Sequence, residues 1–253
     1  MRSGEAGTVS VLEPPIEEDL GDAALLEQTR AHSVFWGTAY EFGDEIPRMP
    51  ARMERLPRDH AGRPVPWFVA WVDGKPDFRV IAAGRFAEAI KGGLCWVCGQ
   101  RLGAYAAFLI GPMCAVNRTT AEPPCHRDCA TWSAQLCPFL ANPERRRRDS
   151  RLPSGVTDPS GEMIRRNPGV ALVWVTRSWS LFNDGQGGLL IKIGDPTETG
   201  WYAHGREATR AEVCASIDSG LPILTEMAEA EGPEAVVQLA AQALAAHALL
   251  PAS

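Results

Sequence analysis

No apolar run in this 253-residue chain approaches the roughly 18 residues that a membrane-spanning helix needs. The stretch from Ala104 to Val116 is interrupted by Gly111-Pro112, and that from Leu239 to Leu250 carries Gln242 and His247. The N-terminus lacks a basic start followed by an apolar block, so no secretory leader is read there, no membrane partner is expected, and a cytoplasmic setting is. Excess charge is scarce as well. The formal total is -6, and residues 1–30 hold seven acids against Arg2 and Arg30, which accounts for -5 of it. The remainder is near neutral, which argues against a generic nucleic-acid-coating protein. Histidine is rare, with five in the chain, and no internal repeat points to a solenoid.

What is present is an ordinary globular composition, 45% apolar with eight tryptophans, enough for one large core or two modest ones. Seven cysteines in a reducing compartment are better explained by metal binding and burial than by disulfides. Six of them, with one histidine, fall between Cys95 and Cys137. Cys95-x2-Cys98 is followed after 27 residues by His126-x2-Cys129, the spacing of a tetrahedral zinc site. Two cysteines on a turn present both thiolates to one point, and Gly99 gives the chain the backbone freedom to fold around the ion. His126 and Cys129 are i,i+3 in the first turn of a predicted helix, so they share a face, and the helix N-terminus favours the thiolate form of Cys129. Cys125 or Cys114 remains open as an alternative ligand. Cys137 and Cys214 read as small buried apolar residues.

The predicted class is α+β: a treble-clef-like zinc module of knuckle, hairpin and helix, joined to a β-hairpin and C-terminal helices. Four segments are expected. Residues 1–46 form an acidic, weakly ordered arm with one short helix over Asp22–His32, and Met49 or Met53 is a candidate for the true start. Residues 47–140 hold a β-hairpin and the zinc module. The hairpin runs from Trp67 to Val72, turns at Asp73-Gly74 and returns over Phe78–Ile81. A short helix, Gly84–Lys91, then leads to the knuckle, Ala104–Ile110 is a strand broken by Gly111-Pro112, and Cys125–Cys137 is the helix that Pro138 ends. Residues 141–168 read as a basic linker, with Arg145, Arg146, Arg147, Arg148, Arg151, Arg165 and Arg166 against four acids. Residues 169–253 hold a hairpin followed by three helices. The apolar run from Val170 through Trp179 to Phe182 turns over Asn183–Gly188 into Leu189–Ile193. Thr209-x-x-Glu212 is a capping box opening a helix that Gly220 ends. A second helix spans Leu221–Glu231, and a third begins at Pro233 with Val237, Ala240, Ala241 and Leu244 along one face.

A knuckle, a hairpin and a helix whose first turn supplies the last two ligands is the arrangement of a treble-clef zinc finger, and residues 95–137 resemble that class. From about Met49 onward the chain also resembles a group of uncharacterised bacteriophage and prophage proteins. The residues that carry this are Pro64-Val-Pro-Trp-Phe-Val69, Cys95-x2-Cys98-Gly99, Gly111-Pro-Met-Cys114, Asn117-Arg118, Glu122-Pro-Pro124, His126-x2-Cys129, Cys137-Pro-Phe-Leu140, Gly205-Arg206 and Ala208-Thr-Arg210. The resemblance implies a viral or mobile-element setting and no particular activity.

Four protein ligands close the coordination sphere, so the zinc is expected to be structural. A zinc deaminase would need His-x-Glu and Pro-Cys-x-x-Cys; Pro124-Cys125 is followed by Cys129, one residue too far, and His204 is three residues from Glu207. A His-Asn-His nuclease needs further histidines near Asn117, and none but His126 lies between Cys98 and Cys137. Asn183–Gly188 lacks the Lys-Ser/Thr of a phosphate loop. The expected function is that of a non-enzymatic, zinc-stabilised protein that binds nucleic acid, through Arg145–Arg148, or a phage or host protein. The alternative is a metal-dependent hydrolase or nuclease acting elsewhere, with His204, Arg206 and Glu207 at a strand-to-helix junction as the place to look.

Overall fold

Val170–Val175 is apolar at every residue, the pattern of a strand buried on both faces. The computed structural model, which describes residues 47–142, 167–185 and 187–252, places that strand at the centre of the molecule. A short 3-10 turn, Ala51–Met53, precedes β1 (Val69–Val72) and β2 (Lys75–Ile81), then α1 (Arg85–Gly92) and β3 (Ala106–Ile110). Next come α2 (Pro112–Asn117), β4 (Thr119–Thr120), α3 (Arg127–Leu136), β5 (Ala171–Thr176), β6 (Trp179–Asn183) and β7 (Leu189–Ile193). The chain closes with β8 (Pro196–Ala203), β9 (Arg206–Glu207), α4 (Arg210–Glu231) and α5 (Pro233–His247). The fold is mixed α+β. The expected arm over 1–46 with its helix, and the linker arginines, lie outside the described residues. Among the described residues no helix is long and apolar enough to cross a membrane.

The main sheet has the order β3-β5-β8-β9 and is antiparallel throughout. Alternation of side chains along its strands divides the interior into two cores. Phe108, Ile110, Leu172, Trp174 and Trp201 face one way, into a core with α2, α4 and α5. Ala107, Val173 and Val175 face the other way, into a core with α3, Met53, Trp96 and the knuckle cysteines. A second sheet, β4-β7-β6, lends Ile191 and Ile193 to the first of these cores. The Asp73-Gly74 turn between β1 and β2 has both residues at positive φ, 50° and 72°, which is the two-residue hairpin turn its sequence predicts.

Several expectations are corrected. The apolar run from Val170 to Phe182 is two strands, not one: at Arg177-Ser178 the chain leaves the main sheet, and β6 pairs with β7 in the other. The β6–β7 hairpin itself is present. β8 has no clear signature in the sequence, because the exposed Thr197 and Glu198 in its first half mask the inward Trp201 and Ala203. Gly111-Pro112 ends β3 by opening α2, with proline at the first helical position. Three C-terminal helices are two, since α4 runs without a break from Arg210 to Glu231 through Gly220 and Pro222. Gly220 is there for close packing and not for termination: a Cβ on it would lie 2.6 Å from Met113 Sδ of α2. Pro222 is on the exposed side of the helix. The helix segments are thus joined by a tertiary contact.

The capping box is formed as its sequence predicts. Thr209 Oγ1 accepts from Glu212 N at 3.3 Å, and Glu212 Oε2 accepts from Thr209 N at 2.8 Å. Arg206 adds a fork to the same carboxylate at 2.8 and 3.0 Å. The Arg206 hydrogen bonds, with those from Thr209, pull the Glu212 carboxyl from its ordinary 4.5 down to about 2. A depressed carboxyl stabilises the fold above the unfolded value and loses that contribution as pH falls, here between about 4.5 and 2. Glu212→Gln should therefore cost about 1 kcal/mol at neutral pH in urea denaturation, and the gap from wild type should narrow toward about pH 2.

Candidate metal centre

The knuckle is a chain reversal held by its own backbone. Cys95 N donates to Gln100 O at 2.8 Å, Gly99 N to Cys95 O at 2.8 Å and Leu102 N to Gly93 O at 2.8 Å. Gly99 sits at φ 70°, and a Cβ there would lie 2.6 Å from Trp67 Cδ1 and 2.7 Å from its Cγ. Glycine is required at this position both by the left-handed backbone and by the indole packed on it. The outer wall of the knuckle is aromatic: Phe68 stacks on Trp96 with ring centroids 4.8 Å apart, and the Arg85 guanidinium lies 4.3 Å over Trp67. Trp67 N donates to Val97 O at 2.7 Å, which ties the turn that leads into β1 to the knuckle.

The other two ligands arrive on a segment clamped from both sides. Cys125 and Ala107 exchange both backbone hydrogen bonds, at 2.6 and 2.9 Å, and Trp96 N donates to Pro124 O at 3.0 Å. The segment Pro123–Cys125 is thus stitched between β3 and the knuckle, and it delivers His126 as the N-cap of α3 and Cys129 as the third residue of its first turn. N-cap and third-residue side chains are the pair that meet in a capping box, and here they meet over sulfur instead. The hairpin expected between knuckle and helix takes another form. β3 pairs with the distant β5, followed by α2 and the two-residue β4, and only the Ala107–Cys125 bridge ties this stretch back to the ligand segment.

Cys95, Cys98, His126 and Cys129 come together with all four ligand atoms within 4.8 Å of one another, and among the described residues they are the one His/Cys/Asp/Glu group of this kind. The three cysteines are buried and the histidine is half-buried. Cys98 Sγ and His126 Nδ1 are 3.4 Å apart, close to the roughly 3.5–3.8 Å that separates ligands around a tetrahedral ion with bonds of about 2.0–2.3 Å. His126 Nε2 lies 3.0 Å from the Arg101 carbonyl oxygen. A carbonyl can only accept, so the ring proton sits on Nε2 and the Nδ1 lone pair faces the sulfurs, as a metal ligand requires. Backbone N–H groups of Cys98 and His126 point at Cys95 Sγ, at 3.5 and 3.3 Å, and lower the cost of negative charge on it. Hydrogen bonds from Cys125, Cys129 and Cys98 hold the Cys95 thiol far below its ordinary range, while Cys95 and then Cys98 push Cys129 far above it. A bound metal ion favours the thiolate form of all three cysteines, so its binding releases protons. The four residues can hold a metal ion, and the donor set fits a soft or borderline one.

The remaining cysteines are elsewhere or in support. Cys125 hydrogen-bonds with Cys95 but is not one of the four converging groups, and its thiol is pushed up by Cys95 and by burial. Cys114 is on α2 against the other core, its thiol pushed up to about 11 by burial. Cys137 caps the end of α3, and Cys214 is half-buried on α4. Arg145, Arg146, Arg147 and Arg148 lie outside the described residues. The junction at His204, Arg206 and Glu207 is a turn and a cap: His204 and Gly205 make the β8–β9 turn, and Arg206 is spent on Glu212. Asn117 makes a turn, accepting from Thr119 N at 2.9 Å. Trp174 is fully buried. The supporting roles of Arg101, Trp67 and Cys125 are not legible from spacing, because each acts through a backbone group or a packing contact far along the chain.

Compared with protein-family models, curated proteins and solved structures, the chain matches none. The geometry of the centre itself yields a prediction. Gly99→Ala should destabilise by about 2–4 kcal/mol, the left-handed penalty plus displacement of a packed indole, and should weaken metal retention in a chelator competition. A change below about 0.5 kcal/mol would contradict the close approach of Trp67.

Proposed function

We propose that this chain is a non-enzymatic binding protein whose treble-clef-like module, the knuckle plus the first turn of α3, is fastened by one structural zinc ion. The observation that carries this reading is closure: three cysteines and one histidine converge within 4.8 Å, so every position of a tetrahedral ion is supplied by the protein. Such an ion supplies cross-linking, and its coordination shell keeps no place for substrate water. The sulfur-rich donor set favours zinc over hard cations. When bound, the ion would tie the knuckle, α3 and, through the Cys125 bridge, the central sheet into one unit.

Nucleic acid is the partner that Arg145–Arg148 fit, since four guanidiniums in a row match phosphates. Two arginines beside the centre are engaged already: Arg52 pairs with Asp128 at 3.0 Å and Arg127 donates to Glu198 at 2.8 Å. Phosphate contact is proposed for the 145–148 run on its sequence. The described residues on either side of it are joined, since Asn167 Nδ2 donates to Asn142 O at 2.9 Å and also to Phe139 O. The phage or prophage setting belongs to the same proposal and rests on the motifs named above.

The test is fluorescence anisotropy with labelled DNA and RNA across a salt series, on protein whose zinc content is measured in the same sample. The expected result is about one equivalent of zinc, affinity that falls steeply with salt, and loss of most of the affinity when Arg145, Arg146, Arg147 and Arg148 are replaced by alanine. Absence of binding even at low salt removes the nucleic-acid arm and leaves a protein partner, while less than a tenth of an equivalent of zinc rejects the structural metal.

A further inference from the structure

The last helix carries apolar residues on its outer side as well as its inner one, with Glu234 and Gln238 beside the outer ones. Leu239, Ala243 and Ala246 of α5 pack into the core, yet Val237 and Leu244 on its other side are 70% and 75% exposed, with Ala240, Ala241 and Ala248 exposed around them. Val237, Ala241, Leu244 and Ala248 follow the i, i+4, i+7, i+11 spacing of a single stripe. A regular apolar stripe on a helix is ordinarily the face that a neighbour covers, and this outer stripe has no cover among the described residues.

We propose that this stripe is the contact of a two-fold dimer of the chain, in which two copies of α5 pack antiparallel about the midpoint between Ala240 and Ala241. The stripe is its own complement under that operation. Reversal about the midpoint brings Val237 level with Leu244 of the second copy, Ala240 with Ala241 and Pro233 with Ala248. The two large side chains flank a centre of alanines, which lets the helices approach to the short end of the usual spacing of about 8–10 Å. An isologous contact of this kind closes at two copies.

Charge selects the antiparallel arrangement. α4 and α5 are packed neighbours joined at Gly232. The end of the pair at this turn exposes Glu226, Glu229, Glu231 and Glu234. Its other end carries Arg210 and His247, with Arg206 matched to Glu212 and Glu207 nearby. A parallel pair would set four glutamates against four. The reversed pair sets them against the end that carries Arg210 and His247, so repulsion is avoided at both ends. The contact is one helix of 15 residues, about 22 Å long, and is smaller than the roughly 800 Å² per partner of a standard interface. The dimer is accordingly reversible, with a dissociation constant in the micromolar range.

Sedimentation velocity on the full metal-loaded chain, from low micromolar to several hundred micromolar, tests this. The expected behaviour is a 27.4 kDa species at the low end that shifts to twice that mass at the high end. V237E and L244K, both at exposed positions, should each weaken association by about tenfold or more while leaving the thermal melt unchanged. The double variant V237E/L244K should regain it, because each new carboxylate then faces the new ammonium of the other copy. A chain that stays monomeric throughout, a dimer indifferent to V237E, or a double variant as weak as the single ones would each overturn the proposal; in the first case the stripe is left to a different protein.

Discussion

Cys129→Ser is expected to abolish the stable fold of this protein. Structural zinc sites of this donor type contribute about 10–16 kcal/mol of apparent binding free energy at neutral pH, while a whole domain is stable by about 5–15 kcal/mol. Loss of one thiolate leaves Cys95 and Cys98 as buried groups with no cation, beneath Trp96 and Val97. The core that holds them also contains Val173 and Val175 of β5, and the opposite face of the same strand carries Leu172 and Trp174. Failure on one side therefore removes half the cover of the strand on which the other side is built, and unfolding should be global. Metal analysis should fall from about one equivalent to less than a tenth, and the cooperative near-ultraviolet melt should vanish; a strong chelator should do the same to the wild type. Cys214→Ser, away from the cluster, should change stability by less than about 0.5 kcal/mol. A Cys129→Ser protein that keeps both its melt and a full equivalent of bound metal would refute the ligand set.

Trp174→Ala should be the most damaging single change outside the metal centre. Trp174 is fully buried, faces Phe108 across the β3–β5 pair and lies among Leu172, Ile191 and Ile193. Its Nε1 donates to Gly194 O at 3.0 Å, and the Arg118 guanidinium lies 5.6 Å from its ring. Truncation removes an indole from a packed core and orphans a backbone carbonyl. The expected cost is about 3–5 kcal/mol for the cavity with about 1 kcal/mol more for the hydrogen bond. Trp174→Phe keeps most of the volume and should cost less than half as much. Urea unfolding followed by far-ultraviolet dichroism gives both numbers. A Trp174→Ala cost under about 2 kcal/mol would mean that the site relaxes around the loss, and that β5 is not the shared spine of the two cores.

Much of the candidate centre is legible in the order of its residues, because its chemistry is local. Two residues between Cys95 and Cys98, and again between His126 and Cys129, bring each pair to one point whatever surrounds them. The same holds for the Asp73-Gly74 turn, the β6–β7 hairpin and the Thr209–Glu212 box, all of which close within a few residues. Other features are hidden for the opposite reason. β3 finds its partner β5 about 60 residues further along the chain, and β8 joins only because β5 offers it an edge. Gly220 reads as a helix end until Met113 of α2 is seen to lie against it. The face of α5 from Val237 to Leu244 has the pattern of a buried stripe, and the core takes the other side of the helix instead.

The residues alone determined which groups can share a metal ion, where short turns fall and which helix starts are capped, since those are contests between neighbours along the chain. Tertiary structure decided which strands pair, whether α4 runs on through Gly220, and which apolar faces are covered. Those outcomes depend on what arrives from elsewhere to occupy each edge and face. Burial is a property of the neighbour as much as of the residue.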